Sequence, residues 1–96
     1  MLTIDEFCAR HSVSRIDFIK ADVEGGEIDL ICGAEDTIRK FKPAISIAVY
    51  HEPENANKVA EFVAGLAVGY TIRVKGIIDI DKVPRPVMVH CYQKRI

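Results

Sequence analysis

The chain has 96 residues, 49% of them hydrophobic and 28% charged, and its formal net charge is −1. This length suits a single domain, residues 1–96, and the charge balance offers no sequence-independent attraction to nucleic acid or to an anionic membrane surface. The longest apolar run, AISIAVY, is far too short to cross a bilayer, so no membrane partner is expected.

The first part of the chain predicts the order helix, strand, helix. Thr3 and Glu6 form a capping box that starts a short helix. Residues 16–23 are rich in β-branched and aromatic side chains, which predicts a strand. Apolar residues then recur at spacings of three and four from Gly26, which predicts one helix that Pro43 stops.

The second part predicts one more strand and helix, followed by two strands. The run AISIAVY, residues 44–50, lacks polar alternation, as is typical of a strand covered on both faces. Pro53 opens a helix. The strands TIRVKGIID and VMVHCYQ follow it, separated by a predicted loop that holds Asp81, Pro84 and Pro86.

This order of elements predicts an α/β fold. Strands joined by a helix run parallel through right-handed crossovers, whereas two strands joined without a helix favour an antiparallel pair. We therefore expect a mixed sheet of about four strands, mostly parallel with an antiparallel C-terminal strand, flanked by helices in a two-layer or three-layer sandwich.

The junction DVEGGE, residues 22–27, places carboxylates and glycines where the first strand meets a helix. Ligands of open α/β sheets bind beyond the carboxyl ends of the strands. Asp22, Glu24 and Gly25 fall at such an end, and His51 follows the second strand. Carboxylates there can orient a cation, accept hydrogen bonds or act as a base. An ordinary acidic turn is the competing interpretation, because Asp and Gly mark many turns and Glu27 suits the first turn of a helix.

Three segments carry a resemblance to a known family: TIDEF (3–7), IDFIKADVEGGE (16–27) and GAEDTI (33–38), followed by Pro43. This stretch resembles the second half of the catalytic domain of FkbM-type methyltransferases, which use S-adenosylmethionine. AVYHEPEN (48–55) is similar to a segment in one branch of the family. The resemblance covers about two-thirds of the chain and implies a partial Rossmann-like methyltransferase sheet.

The resemblance also implies site residues. Asp22 and Glu24 match the family's acidic residues beside the methyl-transfer site and are the expected catalytic residues. The expected substrate-binding residues are Lys20, Gly25, Glu27 and His51.

The cofactor-binding residues stay unassigned, because the family's glycine-rich loop has no counterpart here. The sequence contains no Gly-x-Gly, so we expect the C-terminal half of the domain only, starting at its own methionine and inactive alone. Without the preceding half, residues 16–23 become an exposed edge, which tends to pair with another chain. We expect a homodimer through this edge or a partner chain that supplies the N-terminal half. A non-catalytic binding or assembly module is the alternative function.

The potential metal ligands predict no metal site. His90 and Cys91 are neighbours on a predicted strand, where adjacent side chains point to opposite faces. The pair Asp79 and Asp81 is more typical of a solvated strand face. The three cysteines lack a CxxC pairing and no signal peptide is recognisable, so buried reduced thiols in a cytoplasmic protein are expected.

Overall fold

The computed structural model describes residues 2–22, 25–52, 54–80 and 83–93. Its elements are, in chain order, α1 (Ile4–Arg10), β1 (Phe18–Ala21), α2 (Glu27–Cys32), α3 (Glu35–Phe41), β2 (Ala44–Ala48), α4 (Asn55–Gly65), β3 (Tyr70–Ile80) and β4 (Val83–Gln93). Four residues used in the sequence predictions lie outside this description: Val23, Glu24, Pro53 and Asp81.

The strands form one sheet in the order β1–β2–β4–β3. β1 and β2 are parallel, and β4 is antiparallel to both β2 and β3. Thus β1, β2 and β3 run in one direction and the C-terminal strand runs against them. The predicted α/β fold with a mixed four-stranded sheet is confirmed.

The buried core lies on one face of this sheet. Side chains alternate along a strand, so every second residue shares a face. Ile19 pairs with Ile45 across β1 and β2, and Ile45 pairs with Cys91 across β2 and β4. All three belong to the core cluster, together with helix residues such as Val59 of α4. On the opposite face Phe18 is 56% exposed, so the described core is that of a two-layer sandwich.

The predicted single helix from Gly26 to Pro43 is wrong, because the chain breaks into α2 and α3 at Gly33. The backbone N–H of Asp5 in α1 donates to the Gly33 carbonyl oxygen at 2.9 Å. A Cβ atom at Gly33 would lie 3.0 Å from Cβ of Thr3. α1 therefore crosses the chain so closely at this point that it redirects the helix, an effect that periodicity does not reveal.

The Asp5 carboxylate then caps the start of α3. Its oxygens accept hydrogen bonds from the backbone N–H groups of Asp36 and Thr37, at 3.0 and 2.8 Å, and from the Thr37 hydroxyl at 2.6 Å. These bonds satisfy donors that the first turn of a helix leaves without partners. α1 is itself capped as predicted, since Thr3 Oγ1 accepts from the Glu6 N–H at 3.1 Å.

The bounds of all four strands differ from the predictions, and the differences are largest for β1 and β4. β1 is shorter than residues 16–23, because its ladder with β2 runs only from Phe18 to Ala21. The predicted loop with Pro84 and Pro86 is wrong, because β4 already begins at Val83. Its ladder with β2 involves only residues 88–91, so both prolines lie where β4 is an outer strand, a position that tolerates proline.

The cysteine prediction holds in part. Cys8, Cys32 and Cys91 are all free thiols, but only Cys91 is buried, whereas Cys32 is exposed. In the part of the chain that the structure describes, no helix is long and apolar enough to span a membrane.

Candidate functional site

The candidate site lies beyond the carboxyl ends of the parallel strands β1 and β2. Asp22 directly follows β1, and His51 follows β2 after two residues, the buried Val49 and Tyr50. Because the ladder pairs Ala21 with Ile47, the two strands end at the same edge of the sheet. The structure therefore places both residues at the edge where open α/β sheets bind ligands.

Glu27, the first residue of α2, is the buried centre of this region. Its side chain is 0% exposed. Oε1 lies 2.9 Å from Nδ1 of His51, and Oε2 accepts a hydrogen bond from Nδ2 of Asn55 at 3.2 Å. A buried carboxylate is costly unless it is paired and hydrogen-bonded. Glu27, His51 and Asn55, which we call the Glu27 cluster, therefore join the first turns of α2 and α4 to the loop after β2.

His51 is fixed from a second direction by an aromatic contact. Its ring stacks on that of Tyr50, with centroids 4.2 Å apart and planes inclined by 27°. The His51 side chain keeps 18% exposure. An imidazole oriented by a carboxylate and still reachable from solvent is a recurrent arrangement for general acid–base chemistry.

Three of the four predicted substrate-binding residues fall into two groups. Glu27 and His51 are in direct contact through the hydrogen bond above. Lys20 is exposed and alternates with the buried Ile19 and Ala21, which places it on the sheet face opposite the core.

Gly25 meets a conformational requirement at the bend. Its φ of +80° lies in the left-handed region, and an added Cβ would have no atom within 4 Å. Glycine is therefore favoured here by backbone conformation and not by crowding. Of the two predicted catalytic residues, Asp22 is exposed at the strand end, and Glu24 lies outside the described residues.

Asn55 is the member of the cluster that sequence reasoning missed. It is the first residue of α4 and is buried. One sequence feature pointed to Asn55, because it is the last residue of AVYHEPEN, the segment similar to one branch of the family. Its contact with Glu27 spans 28 positions of sequence, a distance over which no local pattern operates.

Two cavities of the described structure lie on the helical layer. One, of about 380 Å³, is mainly apolar and is lined by Leu2, Thr3, Ile4, Gly26, Asp29, Leu30 and Gly33. Another, of about 190 Å³, lies between α1 and α3. Among the described residues no group of three histidine, cysteine or acidic side chains has the placement of a metal site.

Comparison with known proteins identifies the family. The Methyltransferase FkbM domain family matches residues 1–72. The crystal structure of methyltransferase FkbM from Methylobacillus flagellatus KT superposes with a TM-score of 0.61 and 25% sequence identity, over 78% of this chain and 19% of that one. The chain thus spans about one-fifth of the length of that relative. No curated protein matches it. With three-quarters of its residues inside the family's domain, the chain belongs to the FkbM methyltransferase family.

Proposed function

We propose that this chain forms the acceptor side of an S-adenosylmethionine-dependent methyltransferase site. The observation that carries the proposal is the placement of Asp22 and His51 beyond two adjacent parallel strands, with His51 held by the buried Glu27. These residues all fall within the segment that matches the family.

The proposed roles follow from position and charge. Asp22 and Glu24 orient a hydroxyl or amine acceptor and face the positive charge of a methyl-sulfonium centre, so they act through positioning and electrostatics. Lys20, Gly25 and His51 form the substrate side of the site. Glu27 is fully buried, so it supports the substrate side indirectly, through its hydrogen bond to His51.

The residues of this chain fit only one end of the cofactor. An exposed carboxylate at a strand end, Asp22, suits the sulfonium group. The nucleoside part requires a glycine-rich loop, and the sequence contains no Gly-x-Gly. Residues that hold the nucleoside therefore come from outside these 96 residues, either in the same polypeptide or in a partner chain.

We further propose that this missing part is added at the edge formed by β1. β1 is an outer strand of the described sheet, with β2 on one side, and Phe18 on it exposes an aromatic ring. Exposed strand edges tend to pair with further strands. Either an N-terminal half-domain or, in its absence, a second copy of this chain occupies the edge.

The free thiols support a reducing, cytoplasmic location.

Calorimetry with S-adenosylmethionine tests the proposal. We expect no binding by residues 1–96 alone and micromolar binding once the coding sequence upstream of Met1, or a neighbouring reading frame, is co-expressed with them. Binding by the isolated chain would contradict the assignment of the nucleoside site to other residues. If no added segment restores binding, the alternative of a non-catalytic binding or assembly module is favoured.

A further inference from the structure

We infer that Glu27 is a positioning residue that keeps a proton on Nδ1 of His51, so that Nε2 is the proton-accepting atom of the site. The reaction in which Nε2 takes part rests on the proposed function. The state of the imidazole ring is a property of this chain and can be measured without any methyl transfer.

The hydrogen bonds of the Glu27 cluster determine where the protons lie. The Asn55 Nδ2 group can only donate, so Oε2 of Glu27 is an acceptor. An ionised carboxylate accepts at both oxygens, and the 2.9 Å contact at Oε1 then requires a proton on Nδ1 of His51. In the neutral ring the lone pair consequently resides on Nε2.

The surroundings of Glu27 make this direction of donation persistent. Glu27 is fully buried, so no water competes for its oxygens in the described structure. The stacking of His51 on Tyr50 restricts rotation of the ring. A histidine outside such a setting exchanges between its two neutral tautomers, whereas this one is held in the Nδ1-protonated form.

A base of this kind is useful for an acceptor that must lose a proton when it is methylated. The O–H or N–H bond of the acceptor breaks, its electron pair forms the new bond to the methyl carbon, and the proton moves to Nε2. The bond between methyl carbon and sulfur in the sulfonium donor breaks with its electron pair left on sulfur. The acceptor class is therefore a protic group, a hydroxyl or an amine, since an ionised carboxylate needs no base.

The test is ¹⁵N nuclear magnetic resonance of the histidine rings in the isolated chain, at a pH high enough for the rings to be neutral. For His51 we expect a protonated Nδ1 and an unprotonated Nε2. In Glu27→Gln the neutral amide binds the Nδ1 proton less strongly, so the Nε2-protonated tautomer should appear. Asp29→Asn is the matched control, because Asp29 is exposed in the same helix, and it should leave the His51 signals unchanged.

The wild-type spectrum is decisive by itself, even if Glu27→Gln does not fold. A His51 ring with a bare Nδ1, or one protonated on both nitrogens throughout, would overturn the inference. An unchanged tautomer in a folded Glu27→Gln variant would also overturn it. Cofactor binding does not enter this measurement, so failure of the proposed function is recognised separately, in the calorimetry.

Discussion

Two carboxylates anchor this small fold, and they differ in what they bind. Asp5 reaches from α1 to the start of α3 and accepts from two backbone N–H groups and a threonine hydroxyl. Glu27 reaches from α2 to a histidine in the loop after β2 and to an asparagine. Both contacts span more than twenty residues. The partners of Asp5 serve to hold the backbone in place. The histidine partner of Glu27 lies at the edge of a parallel strand pair, where it can also act as an acid or a base.

Removal of the Glu27 side chain should have the largest effect on stability. Glu27→Ala leaves the His51 and Asn55 polar groups without their buried partner, and we expect a loss of about 3 kcal/mol in the free energy of unfolding. The isosteric Glu27→Gln should cost about 1 kcal/mol. Urea unfolding followed by circular dichroism measures both. A loss below about 0.5 kcal/mol for the alanine variant would show that the cluster is not a structural anchor.

Removal of the Asp5 side chain should cost less. Asp5→Ala deletes a cap on α3, and we expect a loss of about 2 kcal/mol in the same urea experiment. The His51 ring signals should not change in this variant, because Asp5 acts on a different part of the helical layer. A shift of those signals would mean that the two anchors are coupled and that the comparison is wrong.

Alkaline pH should weaken the core outside both anchors. Burial raises the pKa of the Cys91 thiol from 9 to about 11. Burial is also the largest cause that raises the pKa of the Tyr70 hydroxyl from 10 to about 12. The unfolded chain therefore loses these protons first, so stability is full below pH 9 and falls as pH rises through 11 and 12. We expect Cys91 to contribute a loss of about 1 kcal/mol between pH 8 and 10. Cys91→Ala should remove most of the fall in the free energy of unfolding between pH 8 and 10. An unchanged fall in this variant would show that the Cys91 thiol is not its cause.

The smallest effects are expected at two glycines. In Gly33→Ala the new methyl group lies 3.0 Å from Thr3. We therefore expect the free energy of unfolding to fall by about 1 kcal/mol, despite the better helix propensity of alanine. Gly65→Ala, in α4 with no atom within 4 Å of its Cβ, is the control and should gain about 0.5 kcal/mol. Equal effects at the two positions would show that Thr3 does not restrict the side chain at position 33 sterically.

The sequence predicts those features that depend on neighbouring residues. The Thr3 cap, the type of each helix and strand, and the parallel pairing of β1 and β2 all follow from local spacing and from the order of elements. The prediction that Asp22 lies at the end of the first strand is confirmed. These predictions succeed because cap chemistry, periodicity and crossover handedness act over short stretches of chain.

Features that arise from contacts between distant segments could not be predicted in this way. The break at Gly33 is imposed by α1, some thirty residues away in sequence. The part of Asn55 in the Glu27 cluster depends on how α4 packs against α2. Prolines 84 and 86 indicate a loop by composition, and only the sheet order shows that β4 has a free side there.

In the proposed function, this chain supplies the acceptor side of a methyltransferase site through His51. The most direct test is methyl transfer by the assembled domain, with wild-type chain and with His51→Ala compared for turnover and for S-adenosylmethionine affinity. Loss of a positioned general base costs about 10²–10⁴-fold in rate, so we expect turnover to fall by that factor. Cofactor affinity should stay within about twofold, because the role proposed for His51 is toward the acceptor and not the cofactor. Full turnover by His51→Ala would contradict the account.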